Sequence, residues 1–122
     1  MLEWQRMISI DYRLAPEYPF PTPIEDGYAA FEWVTKNATK IGVPYQKLVV
    51  AGDSAGGNLA TLVSILARDR HAPKIDLQLL FYPWVSSNIN TDSYKRYATD
   101  HLLSKKDCIW FTEKYLEQSG DD

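Results

Sequence analysis

Cysteine is almost missing from this chain of 122 residues. Cys108 stands alone, which excludes an internal disulfide and any multi-cysteine zinc site. Histidine is nearly as scarce, with only His71 and His101. An excess of positive charge is missing too. Lysine and arginine number 13 against 16 aspartates and glutamates, a net charge of −3. That balance leaves no electrostatic footprint for nucleic acid or an anionic membrane. No apolar run approaches the roughly 18 residues that would mark a transmembrane segment. The first residues, Met1 to Arg6, lack the apolar core of a signal peptide, so a cytoplasmic location is expected. Repeats and low-complexity stretches are lacking as well. With 45% hydrophobic and 24% charged residues, the composition is that of a globular chain of at most one domain.

What is there alternates short apolar runs with amphipathic segments. Met7–Tyr12 reads as a strand, followed by a proline-rich connection over 13–23. Thr22 is placed to cap a helix, with Pro23 in its first turn and Glu25 completing a capping box. Ile24, Tyr28, Phe31 and Val34 give that helix an apolar stripe, and Gly42 and Pro44 punctuate its end. Lys47–Ala51 is the second expected strand and 55–70 the next helix, with Leu59, Leu62, Val63 and Leu66 toward a core. Leu77–Tyr82 is the third strand. A polar loop over about 85–103 leads to a second capping box, Ser104 with Asp107, which opens a last helix through about Gln118. The order β-α-β-α-β-loop-α predicts an α/β fold with three parallel strands and flanking helices. Two of these strands are nearly continuous apolar runs, a pattern expected of strands buried on both faces.

The strongest chemical signal is Gly52-Asp53-Ser54-Ala55-Gly56-Gly57-Asn58. It holds a Gly-x-Ser-x-Gly spacing, which composition alone gives in roughly 4% of chains this long. Its context sharpens it, because a strand ends at Ala51 and a helix begins just past Ser54. This is the strand-turn-helix placement of a nucleophile elbow. The serine sits in a strained turn at the C-terminal edge of a sheet. Gly52 and Gly56, without Cβ atoms, let strand and helix approach closely there. The helix N-terminus places partial positive charge beside the serine, and the Ala55 N–H is positioned to donate to an oxyanion on an attacked ester carbonyl. The alternative for the same residues is a glycine-rich turn in which Ser54 merely caps the helix. A phosphate loop fits less well, because no Gly-Lys-Ser/Thr follows, and a dinucleotide fingerprint fails on spacing.

The chain also carries Asp11-Tyr12-Arg13-Leu14-Ala15-Pro16-Glu17, Phe20-Pro21, Asp26 with Ala29-Ala30 and Trp33, and Tyr82-Pro83-Trp84. Together with the elbow, these resemble the hormone-sensitive-lipase family of α/β-hydrolases, from about Met7 to Leu116. The resemblance implies a partial α/β-hydrolase fold and a serine hydrolase acting on small carboxylic esters. It implies Ser54 as nucleophile, Ala55 N–H as one oxyanion donor, and Gly52, Asp53, Gly56 and Gly57 as structural residues of the elbow. Arg13, Glu17, Asp26 and Asp53 match positions read as hydrogen-bonding or ion-pair partners. No metal and no organic cofactor is implied.

The family's His-Gly-Gly-Gly oxyanion stretch has no counterpart in this sequence, nor do its triad acid and histidine, which follow the serine in chain order. The chain therefore reads as one incomplete domain, expected to be inactive alone. In a serine hydrolase, losing the histidine costs on the order of 10⁶ in turnover. His71 ends the helix after the elbow, and His101 lies in the loop before the last helix. Neither is placed to act as the base. Tyr82 and Trp84 follow the end of a strand, where open α/β sheets bind ligands, and are candidate substrate contacts. Trp110 and Phe111 form an apolar surface on the last helix. Tyr28 and Trp33 read as core, as does Cys108. Unpaired sheet edges invite self-association. A different function on the same scaffold is a non-catalytic small-molecule receptor.

Overall fold

The computed structural model describes residues 6–43 and 47–117. In chain order the elements are α1 (Thr22–Asn37), β1 (Val49–Asp53), α2 (Ala55–Asp69), β2 (Leu77–Phe81), α3 (Asp92–Arg96) and α4 (Lys105–Leu116). Pro44 and Gln118, expected at two helix boundaries, lie outside the described residues.

β1 and β2 run parallel and form a two-stranded sheet, with Val49 opposite Leu77 and Asp53 opposite Phe81. A parallel pair needs a crossover, and α2 supplies it. The first expected strand, Met7–Tyr12, is not formed. A strand requires a ladder partner, and no described strand lies beside this segment, whose Met7, Ile8 and Ile10 are exposed. The remaining strands are not buried on both faces either. Helix α2 covers the face of Val50, Gly52 and Leu80. On the other face Val49, Ala51, Leu77, Leu79 and Phe81 are exposed, because no described helix packs there.

The core lies between α1 and α2. Tyr28 and Phe31 meet Val63 and Ala67, flanked by Leu48, Leu66, Ala72 and Ile75. Gly27 lets the helices approach, since a Cβ there would stand 3.2 Å from Val63 Cγ2. The Arg70 guanidinium lies 4.3 Å from the Tyr28 ring centroid, at one end of this core. Trp33, expected as core, points outward from α1 and is exposed.

The Thr22–Glu25 capping box does not form. Thr22 is already helical and Pro21 is the cap. The Thr22 N–H, the donor that Glu25 would need, goes to the Pro19 carbonyl at 2.9 Å. The Pro21 carbonyl instead accepts from Ile24 and Glu25 at 3.0 and 3.1 Å. Pro23 in the first turn has no donor to satisfy. The second box does form: Asp107 N–H donates to Ser104 Oγ at 3.2 Å, and Ser104 N–H to Asp107 Oδ2 at 2.9 Å. The polar loop before it holds the short helix α3, capped by Thr91 Oγ1, which accepts from Tyr94 N–H.

Two ties fix the proline-rich segment. Arg13 donates from Nε and Nη2 to the two Asp26 carboxylate oxygens at 2.9 and 2.6 Å, and its backbone N–H adds a third bond at 3.0 Å. Further on, Phe20 N–H donates to the Tyr115 carbonyl at 2.8 Å, and the two rings meet edge to face. Helix α4 is thereby held against the entrance of α1. Glu17 and Asp53, expected beside Arg13 and Asp26 as bonding partners, make no side-chain hydrogen bond among the described residues.

Candidate active site

β1 delivers the chain at Asp53 and α2 takes it up at Ala55, leaving Ser54 alone in the turn. Ser54 has φ 49° and ψ −113°, a left-handed conformation that costs a non-glycine residue roughly 1–3 kcal/mol. The surrounding hydrogen bonds hold it there. Ser54 N–H donates to the Phe81 carbonyl at 3.0 Å, and the Ser54 carbonyl accepts from both Asn58 and Trp84 N–H at 3.1 Å. The serine occupies the N-cap position, yet its hydroxyl makes no capping bond. A mere helix cap would have spent that hydroxyl on an amide of the first turn. The Ala55 N–H opens α2, where the first amides have no intrahelical acceptor.

Steric demand at the elbow falls on Gly52 and Gly57. A Cβ on Gly52 would stand 2.3 Å from the Gly56 backbone, and one on Gly57 would stand 2.8 Å from Pro83 Cβ. Gly56, expected as the partner of Gly52, has room: its nearest neighbour would be Asp53 Oδ1 at 4.0 Å. The close approach is thus made by Gly56 backbone atoms, and Gly57, in the first turn of α2, is the residue pressed against Pro83 just after β2.

Ser54 and Ala55 border an open, mainly apolar cavity of about 560 Å³. Its wall is built by Trp84 and Val85 after β2 and by Trp110, Phe111 and Tyr115 on α4. Trp84 lines it beside Ser54. Tyr82 does not: it has φ 37°, is 77% exposed and lies outside the lining. Asn58, quoted in the motif without a role, donates from Nδ2 to the Trp84 carbonyl at 2.8 Å and so ties the aromatic wall to the elbow. Its place four residues after Ser54, one turn into α2, was the available signal. Tyr115 was also missed. Its hydroxyl is buried without a partner among the described residues, and burial raises its pKa.

Neither histidine borders this cavity. His71 follows the last turn of α2, at the far end of a 15-residue helix about 22 Å long. His101 is exposed, with its ring 5.0 Å from that of Tyr97. Cys108 is buried on α4, and burial, with Cys108 alongside, raises the pKa of the Tyr94 hydroxyl on α3. Among the described residues no three His, Cys, Asp or Glu side chains are grouped to hold a metal ion, and no helix is long and apolar enough to cross a membrane.

The chain is similar to known proteins. Carboxylic ester hydrolase LipN of Mycobacterium tuberculosis is 43% identical over 96% of this chain. Ethyl acetate hydrolase of Pseudomonas putida is 36% identical over 94% of it. The match takes up 32% and 36% of those two proteins, so this chain spans about a third of their length. A fungal esterase structure from Rhizomucor miehei superposes with a TM-score of 0.84 at 44% identity, over 88% of this chain and 34% of that one. A family profile described as the α/β hydrolase fold matches residues 5–122. The chain belongs to the α/β-hydrolase fold family.

Proposed function

We propose that this chain carries the nucleophile of a carboxylic-ester hydrolase, with Ser54 as the attacking residue. The observation that carries the reading is the uncapped Ser54 hydroxyl, in a strained elbow, at the border of an apolar cavity. Ser54 Oγ attacks the carbonyl carbon of a small ester, and its proton passes to a base. The Ala55 N–H, at the positive end of α2, donates to the oxyanion that forms. Collapse of the tetrahedral intermediate expels the alcohol and leaves an acyl-enzyme, which water then opens to release the acid. Asp53, Gly52, Gly56 and Gly57 shape the turn, and Trp84 contacts the substrate.

The base is neither His71 nor His101 in this reading, since neither borders the cavity. The domain is incomplete in the same sense: the base, its orienting acid and further oxyanion donors come from outside residues 6–117. Labelling with a fluorophosphonate probe, read by intact mass, tests both parts. The chain alone is expected to label weakly. Added imidazole, as a free base, is expected to produce one label that disappears in Ser54→Ala. No label with imidazole, on a chain that circular dichroism shows to be folded, would overturn the nucleophile. Full labelling without imidazole would overturn the external base, and His101→Ala would then locate it.

The same two histidine positions favour, as a second reading, a small-molecule receptor that binds in the cavity without turnover. It is distinguished by ligand binding that survives Ser54→Ala with no labelling under any condition. We infer in addition that the exposed face and edges of the two-stranded sheet pair with a second copy of the chain.

A further inference from the structure

We propose that Met7–Tyr12 is a strand that two copies of the chain complete for each other, paired antiparallel with Ser9 on the two-fold axis. The inference does not depend on the chemistry of Ser54. It concerns a different segment from the exposed face of the two-stranded sheet.

The segment is bare. Among the described residues, no backbone N–H or carbonyl from Met7 to Tyr12 has a hydrogen-bond partner, and every residue from Arg6 to Asp11 is exposed. An unpaired run of donors and acceptors is a template for another strand. The segment is also held straight. Arg6 Nη1 donates to the Ile41 carbonyl at 2.8 Å, past the end of α1, and Arg13 is tied to Asp26 near its start. Those anchors stand about 20 Å apart along the helix. Seven residue steps reach that far when extended, at about 3.3 Å each, and cover only about half of it as a helix. Much of the ordering cost of pairing is thereby met before a partner arrives. Finally, the segment alternates. Ile8, Ile10 and Tyr12 share one face, and Met7, Ser9 and Asp11 the other. Met7 is 94% exposed against 47% and 41% for Ile8 and Ile10, and Tyr12 is half-buried at the cavity wall. A period of two is that of a strand.

The pattern is self-complementary, which makes a second copy the partner. Two antiparallel strands related by a two-fold axis through the sheet must have one residue facing itself. With Ser9 in that place, Ile8 of each copy stands opposite Ile10 of the other, so the β-branched pair forms twice, and Met7 stands opposite Asp11. Moving the axis to Ile8 sets Ile10 against Arg6. Moving it to Ile10 draws Arg13 into the ladder, where its N–H is already given to Asp26.

Cross-linking reads both the pairing and its register. Full-length Ser9→Cys, Ile10→Cys and Asp11→Cys chains are oxidised under native conditions and run on a non-reducing gel. Wild type is the blank, because its one thiol, Cys108, is buried. Facing residues on paired strands lie about 5 Å apart, within disulfide range, whereas the two Asp11 positions stand about 13 Å apart in this register. Ser9→Cys is expected to form a covalent dimer about tenfold faster than either other variant. The bond is expected to persist when Phe81→Lys is added, which separates this pairing from association through the sheet face. Residue-resolved hydrogen exchange on wild type needs no new cysteine and keeps the proposal testable if a variant does not fold. Alternate amides over 7–11 are expected to slow as the protein concentration rises. Equal cross-linking at all three positions overturns the proposal, as does faster cross-linking at Ile10→Cys or Asp11→Cys. Exchange over 7–11 that ignores concentration overturns it as well.

Discussion

Gly52, Gly56 and Gly57 are chemically identical and lie within six positions, yet the fold asks different things of them. A methyl group on Gly52 collides with backbone, which has no flexible end to move aside. Gly52→Ala is expected to cost about 3 kcal/mol in urea denaturation, and Gly57→Ala somewhat less, because Pro83 is the obstacle. Gly56→Ala meets open space within α2 and is expected to be neutral or stabilising by up to about 1 kcal/mol. The motif spacing points to Gly52 and Gly56, and only coordinates separate Gly56 from Gly57. That distinction depends on where Pro83 lands after β2, which no local pattern encodes. The same holds for Tyr82 and Trp84, two residues apart, of which only Trp84 borders the cavity. Charge at the residue scale is clearer. The Arg13 guanidinium holds the Asp26 carboxyl down to about 2. Because the folded value lies below the ordinary one, the tie contributes fully above about pH 4 and is lost as the pH falls through about 2. Wild type is expected to unfold at lower pH than Asp26→Asn in an acid titration followed by near-ultraviolet circular dichroism, with the two converging below pH 2.

Helix α4 shows what elements demand. Its aromatic residues face the cavity, so its start decides where the wall stands. The Ser104–Asp107 box fixes that start and lowers the Asp107 pKa, chiefly through the Ser104 hydroxyl. Ser104→Ala is expected to cost about 1 kcal/mol by thermal or urea unfolding. Both helix starts carry a Ser/Thr followed three residues on by an acid, and only one forms a box. At Thr22 the preceding Pro19 carbonyl claims the backbone donor, a competition that the four-residue pattern does not express. Helices α1, α2 and α4 were legible because each carries its own apolar stripe or punctuation. Helix α3 was not, being five residues long with no buried residue to create a period.

The whole molecule departs from the sequence reading where strands need partners. Met7–Tyr12 has strand composition, but a strand is a relation between two segments, and this one has no described neighbour. β1 and β2 have the apolar runs of doubly buried strands, and only one face is covered. Val49, Leu77, Leu79 and Phe81 thus form an apolar surface of the kind that marks an association site. Light scattering coupled to size exclusion is expected to find assemblies whose mass rises with concentration. Phe81→Lys, which keeps the Phe81 backbone carbonyl as acceptor for Ser54 N–H, is expected to shift them toward monomer. A concentration-independent monomer in wild type would remove the self-association proposal.

The bond from Ser54 N–H to the Phe81 carbonyl turns one amide proton into a gauge of the whole site. That proton is shielded only while β1, β2 and the elbow stay together. Its exchange with deuterated solvent therefore requires opening of the strand pair rather than fraying of a helix end. A slow rate at this single position would certify that the serine is held in its strained conformation before any ligand arrives. A ligand that rests on Trp84 should slow it further, because Trp84 N–H shares the Ser54 carbonyl with Asn58.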